Sequence, residues 1–204
     1  MSMPRTIDRR ARHGALGQAV WRVIVRDGLD HASVRNVAAE AGLSTGSLRH
    51  SFGSHSELLG FALELVGDRI EERIVGVDRS EGPQLFVPAM IEEMLPLDDE
   101  RRAECTVWIA FAVRSLTDDH LAAQRVLTNR RLAQAFGSMV DHLADAGLVG
   151  AGRDRAVETE RLSALVDGLI VHGLLATTDD GGRMSREVVR AHLADLATPS
   201  AATP

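Results

Sequence analysis

No lysine and no tyrosine occur in this 204-residue sequence, and there is a single cysteine, Cys105. One cysteine excludes an intrachain disulfide and suits a reducing compartment, so a cytoplasmic protein is expected. All 23 cationic side chains counted as lysine or arginine are arginine. With tyrosine missing as well, this points to biased genomic base composition rather than to function. No uninterrupted apolar run reaches the length that crosses a bilayer, so no membrane partner is expected. Residues Met1 to Arg12 are basic but have no apolar run behind them, and they do not read as a secretion signal. The histidines fall at no ligand spacing with a carboxylate partner, so neither a metal nor a cofactor is expected. No nucleophile–base pair and no glycine-rich phosphate loop can be read, which argues against an enzyme.

What is present supports a globular chain. Hydrophobic residues make up 45% and charged residues 25%, close to the usual balance for a soluble domain with a sizeable core. The length fits one large domain or two small ones. The net charge of −6 hides an asymmetry. Residues 1–55 hold eight arginines (5, 9, 10, 12, 22, 26, 35, 49) against Asp8, Asp27, Asp30 and Glu40, a local charge of +4, and four of the eight histidines. Residues 56–204 carry −10. A basic head on an acidic body is an electrostatic footprint for a polyanion, which responds to local charge rather than to the chain average. A chance asymmetry on a solvated surface would look the same.

The hydrophobic pattern is helical throughout, and no alternating strand pattern emerges. The expected fold is all-α, with about nine helices. A first helix is expected from about Arg9 to Arg26, with Leu16, Ala19, Val20, Val23 and Ile24 on one face and a stop at Gly28. Ser33, Ser44 and Ser54 are N-cap candidates for the next three helices, because a serine hydroxyl can accept from an orphan backbone N–H. The fourth helix carries Leu58, Phe61, Ala62, Leu65, Val66, Ile70 and Ile74. Further helical segments fall at 83–95, 98–116, 118–147 (with Val126 on its apolar stripe) and 154–176. Ser185 is expected to cap a last helix, and the tail from Thr198 to Pro204 is expected to be disordered.

The informative stretch is SVRNVAAEAGLSTGSLRHSF, residues 33–52. It reads as helix, glycine turn, helix. Val34, Val37 and Ala38 face inward, Ala38 and Ala41 permit close packing, and Leu43, Leu48 and Phe52 seal the second helix onto the core. Thr45, Gly46, Ser47, Arg49 and His50 are left pointing outward. Such a helix can enter a major groove and bring donors to base edges. An αα-hairpin inside a bundle fits the same pattern.

At this point the sequence resembles the TetR family of bacterial regulators. The resemblance rests on residues 33–59, SVRNVAAEAGLSTGSLRHSFGSHSELL, and on the helix before them. The family pattern appears as Ser33, Val37-Ala38, Ala41-Gly42-Leu43-Ser44, Gly46-Ser47-Leu48, Phe52 and Glu57-Leu58. Segments Trp108-Ile-Ala-Phe111 and Leu165-Val-Asp-Gly-Leu169 also look like the C-terminal half of one large branch. The resemblance implies a helix-turn-helix head over residues 1–55 and an effector-binding, dimerising body over 56–204. It implies a homodimer on double-stranded operator DNA, controlled by a small-molecule effector. Ser33 and His55 become candidate phosphate clamps, and Ser44, Thr45, Gly46, Ser47, Arg49 and His50 candidate groove contacts. Arg5, Arg9, Arg10 and Arg12 either reach the DNA as an arm or form a solvated tail.

The departures from the family pattern carry information. Arg49 stands where the family usually has tyrosine, Ser51 where it has an aromatic, and His55 where it has a lysine. Arginine can bond guanine O6 and N7 together through its fork. Histidine is a weaker cation near neutrality, so pH-dependent affinity is expected.

In the body, segment 154–176 is apolar nearly all round, which marks a helix buried on several sides. Either it is the central helix of a monomer or, as the resemblance implies, it enters a four-helix interface between two copies. Leu165, Leu169, His172 and Ala176 fall on one stripe, with Gly168 and Gly173 allowing close approach. Phe86, Met90, Trp108, Phe111, Ser115, Phe136, Met139 and His172 are the candidate effector contacts, a lining that suits a small, mainly apolar molecule. Plain core packing explains the same residues. Cys105 reads as a small buried hydrophobe. Two other functions compete: a ligand-independent DNA-binding or adaptor protein with a solid core, and a helical-bundle enzyme using Asp141, His142 or Glu92-Glu93.

Overall fold

The computed structural model describes residues 5–49, 52–177 and 180–199, with side chains from residue 15 onward. Nine α-helices and no strand occur among them: α1 Arg5–Asp27, α2 Val34–Glu40, α3 Thr45–Arg49, α4 His55–Val75, α5 Pro83–Glu92, α6 Asp99–Arg114, α7 Asp119–Asp145, α8 Arg155–Leu175 and α9 Arg183–Leu196. The all-α expectation holds, and α1 begins four residues earlier than its apolar periodicity suggested. No described helix is long and apolar enough to cross a membrane.

The chain forms two compact units, residues 1–69 with 106–123 and residues 70–105 with 124–204. In the first, Leu16, Ala19, Val20, Val23 and Ile24 of α1 are all buried, as their spacing requires. They share a core with Val37, Ala38, Leu48, Phe52, Leu58, Phe61 and Ala62. Phe52 and Phe61 pack with ring centroids 5.1 Å apart. At Gly17 a Cβ would stand 2.7 Å from Leu65 Cδ2, so α1 meets α4 without room for a side chain there. Arg69 lays its guanidinium over Trp21 at 4.5 Å, joining the same two helices from outside.

The second unit is tied by arginines that bridge helix ends. Arg102 donates to the carbonyls of Gly173 and Leu174 at 2.8 and 3.2 Å, satisfying the C-terminus of α8. Arg186 pairs with Glu92 at 2.8 Å and links α9 to α5. Arg153 donates to Glu158 at 2.9 Å, to Thr198 O at 2.8 Å and to Asp195 O at 2.6 Å, clamping the end of α9 beside the start of α8. Thr198 is therefore held, contrary to the expectation of disorder from that residue on; residues 200–204 lie outside the described ones.

Four further expectations are corrected. Ser185 lies inside α9 rather than at its cap. The cap is Gly182 at φ +71°, and Asp180 accepts from the N–H groups of Gly182 and Met184 at 3.0 and 3.1 Å. A left-handed glycine followed by a helix needs no serine, because the aspartate two residues earlier reaches the orphan amides. Leu43 is 44% exposed and does not seal α3. Val126 is exposed on α7. In α8, Leu169 is buried and Leu165 half-buried, whereas Val157, Val171 and Leu175 are exposed. Of the expected stripe, Leu165 and Leu169 are covered in the single chain, whereas His172 and Ala176 are exposed. Gly173 serves an approach within the chain, since its Cβ would meet Pro96 Cγ at 2.6 Å.

Candidate nucleic-acid interface

Three serine caps build the head. Ser33 Oγ accepts from Asn36 N at 3.2 Å and starts α2, while the Asn36 amide donates to His31 O at 2.9 Å and fixes the approach to it. Helix α2 ends in a double closure: Gly42 N donates to Ala39 O at 3.2 Å and Leu43 N to Ala38 O at 2.9 Å. This closure needs a left-handed residue at position 42, and Gly42 supplies it at φ +65°. Ser44 Oγ then accepts from Ser47 N at 3.1 Å and opens α3. Ser54 Oγ accepts from Glu57 N at 3.1 Å, and Glu57 answers by accepting from Gly53 N at 2.7 Å, so α4 starts from a reciprocal cap.

Between those caps α3 has one buried anchor. Leu48 is 1% exposed and Phe52, just beyond the helix, is buried. Thr45, Gly46, Ser47 and Arg49 are exposed, as the pattern requires of a helix that offers its face to a partner. Among the described residues, the only atom within 4 Å of a Cβ added at Gly46 is Ser44 Oγ at 3.9 Å. None of those residues demands a glycine there, and glycine weakens a helix, so its bareness suits close approach from outside. His50 and Ser51 lie outside the described residues. His55 is exposed at the first position of α4, and Ser33 is half-buried.

The side chains of Arg5, Arg9, Arg10 and Arg12 lie outside the described residues, and the other four arginines of the head divide into two sets. Glu40 accepts from Arg22 at 2.6 Å and from Arg26 at 2.7 Å, and Arg26 also pairs with Asp27 at 2.8 Å. Hydrogen bonds from Arg22 and then Arg26 hold the Glu40 carboxyl below its usual range. Arg35 and Arg49 are exposed and have no ion pair among the described residues. Sequence reasoning passed over Arg35. No signal in the sequence marks it, because Glu40 takes up the α1 arginines only once the fold brings α1 against α2.

The candidate effector residues fall into different surroundings. Phe86, Met90, Phe136 and Met139 are buried in the second unit, where the Phe86 ring meets His142 edge-on at 5.3 Å and Arg79 stands 5.9 Å from the same ring. Phe111 and Ser115 are buried in the first unit beside the half-buried Trp108, whose ring stacks on Phe111 at 6.4 Å. The Ser115 hydroxyl, in the turn that follows α6, donates to Ala112 O at 2.9 Å. His172 is exposed on α8. Cys105 is buried, its thiol donates to Met94 O at 3.4 Å, and burial pushes its pKa up to about 12. Such a thiol packs as a small apolar group.

Comparison with known proteins gives this geometry its context. A family model described as bacterial regulatory proteins of the tetR family matches residues 18–60, the span from α1 into the first turns of α4. A second, described as the C-terminal domain of BetI-type transcriptional repressors, matches residues 87–198. The chain is 33% identical over 195 residues to the HTH-type transcriptional regulator PksA of Bacillus subtilis, covering 95% of this chain and 94% of that one. It is 26% identical over 180 residues to the HTH-type transcriptional regulator BetI of Agrobacterium fabrum, covering 88% and 84%. A solved transcriptional regulator from Rhodococcus superposes with a TM-score of 0.69 at 29% identity, covering 91% and 93%. The helix-turn-helix, the helical body and these matches together place the chain in the TetR family of DNA-binding transcriptional regulators.

Proposed function

We propose that two copies of this chain bind a palindromic operator and repress transcription until a small, mainly apolar effector releases them. Residues 1–55 serve as the DNA-binding head and 56–204 as the effector-binding and dimerising body, acting in the cytoplasm. The observation that carries the reading is α3, which shows Thr45, Gly46, Ser47 and Arg49 to solvent while Leu48 fixes it from beneath.

Ser33 and His55 bracket α3 as phosphate contacts. Ser33 Oγ already accepts inward from Asn36 N, so its own proton is available for an outer acceptor. The open face of α8, running through Val157, Ala164, Gly168, Val171 and Leu175, supplies the surface for a second copy. A dimer sets two recognition helices about 34–36 Å apart, one turn of B-DNA. The effector stabilises a conformer in which that spacing is wrong, and its preference for that conformer equals the coupling.

Selection of duplexes from a random pool tests this reading. The expected result is an inverted repeat whose half-sites lie one helical turn apart, bound by a dimer in light scattering. A pool that shows no enrichment would overturn it.

A further inference from the structure

Four polar side chains are buried among the described residues: Ser56, Glu104, Ser115 and Glu158. Three have a plain structural role. Glu104 and Glu158 neutralise Arg73 and Arg153, and Ser115 donates to Ala112 O. Ser56 differs. It is the second residue of α4, directly after His55, and its hydroxyl donates to the Asp118 carboxylate, 62 positions away in sequence.

Asp118 is shared between three elements. Its Oδ1 accepts from His120 N at 3.0 Å and caps α7. Its Oδ2 accepts from Ser56 and from Arg114 Nε, the latter at 3.2 Å, at the end of α6. The starts of α4 and α7 and the end of α6 therefore meet on one carboxylate inside the first unit. A buried polar contact of this kind adds little over an apolar pair of equal volume, but it fixes register, because only one placement satisfies the hydroxyl and the carboxylate together. The register it fixes is that of the first turn of α4, where His55 is exposed one residue before Ser56.

We infer that Asp118 is a positioning residue for operator binding: through Ser56 it holds the first turn of α4, and so aims His55 at the DNA backbone. This rests on the DNA-binding reading above and deepens it, since it makes the quality of a phosphate contact depend on the corner between α6 and α7. Each of these two helices has residues in both compact units.

The test uses the full chain and a duplex selected by the wild-type protein, at one fixed pH. Binding is measured across a salt series for Ser56→Ala, His55→Ala and the double variant. Asp118→Ser is the second route, because serine still caps α7 but is too short to reach Ser56. Fractions folded come from circular dichroism, so that lost stability is not mistaken for lost affinity. The expected result is a loss of about tenfold for each single variant. The slope of log K against log salt becomes shallower by about 2, one phosphate for each half-site. The double variant binds no more weakly than His55→Ala alone, and Ser56→Thr, which restores the hydroxyl, recovers wild-type binding. Unchanged affinity and slope in Ser56→Ala and Asp118→Ser, or losses that add to that of His55→Ala, overturn the inference. Failure of the wild-type chain to select any duplex strikes instead at the DNA-binding reading.

Discussion

Arg73 and Glu104 form a charge pair inside the second unit, with Arg73 Nη1 donating to Glu104 Oε1 at 2.9 Å and the carboxylate side chain only 1% exposed. The same guanidinium donates from Nε to Glu93 at 2.9 Å. A carboxylate so deeply buried is tolerable only while the guanidinium faces it. Removing it strands a cation that keeps Glu93 and some water, since the Arg73 side chain is 28% exposed. Glu104→Ala is expected to cost about 3 kcal/mol, near the low end for breaking a buried pair. Replacing both residues, as Arg73→Met with Glu104→Leu, should restore most of that loss. Urea titration of the three variants decides it. Equal losses in the single and the double variant would show that the charge pair is not the reason.

His192 links stability to pH. It is half-buried on α9, and its Nε2 has no hydrogen-bond partner among the described residues. Burial holds its pKa below the reference 6.5, with Arg161 pushing the same way and Glu158 and Asp195 opposing. The folded chain therefore resists protonation more than the unfolded chain does. Between the folded pKa and 6.5 the unfolded state binds more protons, so this group's effect on stability turns unfavourable as pH falls through that window and is absent above it. Unfolding free energies at pH 7.5 and 5.5 should fall further for the wild type than for His192→Gln. Identical pH slopes would remove His192 as the cause.

What the sequence made legible was local chemistry. The caps at Ser33, Ser44 and Ser54 were readable because each acts on the amide three residues ahead, and the inward face of α1 because its period is intrinsic to a helix. Some errors arose from the local course of the chain, others where a neighbour distant in sequence decides. Leu43 looks like a core residue by type, yet it follows the glycine that closes α2 and emerges into solvent. Glu40 consumes Arg22 and Arg26 from another helix, which no count of charges along the chain can show. Ser56 is one serine among several until the fold brings Asp118 to it. The candidate DNA face was therefore visible in outline, while the contacts that hold it were not.

Gly168 offers a clean test of the dimer. An added Cβ there meets nothing within 4 Å among the described residues of the single chain, and the position is exposed, so a larger side chain has solvent to enter. Leucine in place of glycine should even favour α8, by roughly 0.5–1 kcal/mol. If a second copy closes over the exposed Val171 and Leu175, the leucine obstructs it. Gly168→Leu should then keep its helical circular dichroism and its unfolding transition at low concentration, yet run as a monomer in light scattering. An undisturbed dimer would place the interface on another face.

Arg49 and Arg35 are both exposed and have no ion pair among the described residues, and different DNA contacts are expected of them. Arg49 closes α3, beside the bare Gly46, where a partner can come close enough for a side chain to reach base edges. Its planar fork matches guanine O6 and N7 together. Arg35 sits on α2, outside the candidate recognition helix, where the phosphate backbone is the nearer target. Arg49→Ala should cost about 1–3 kcal/mol on the selected operator and little on random duplex. Arg35→Ala should weaken both alike and flatten the salt dependence. Replacing single guanines by 7-deazaguanine separates the two. One position in each half-site should weaken the wild type while leaving Arg49→Ala no worse than on the natural base. If no guanine behaves this way, Arg49 belongs to the backbone contacts, and sequence preference must come from Thr45, Ser47 or the shape of the DNA.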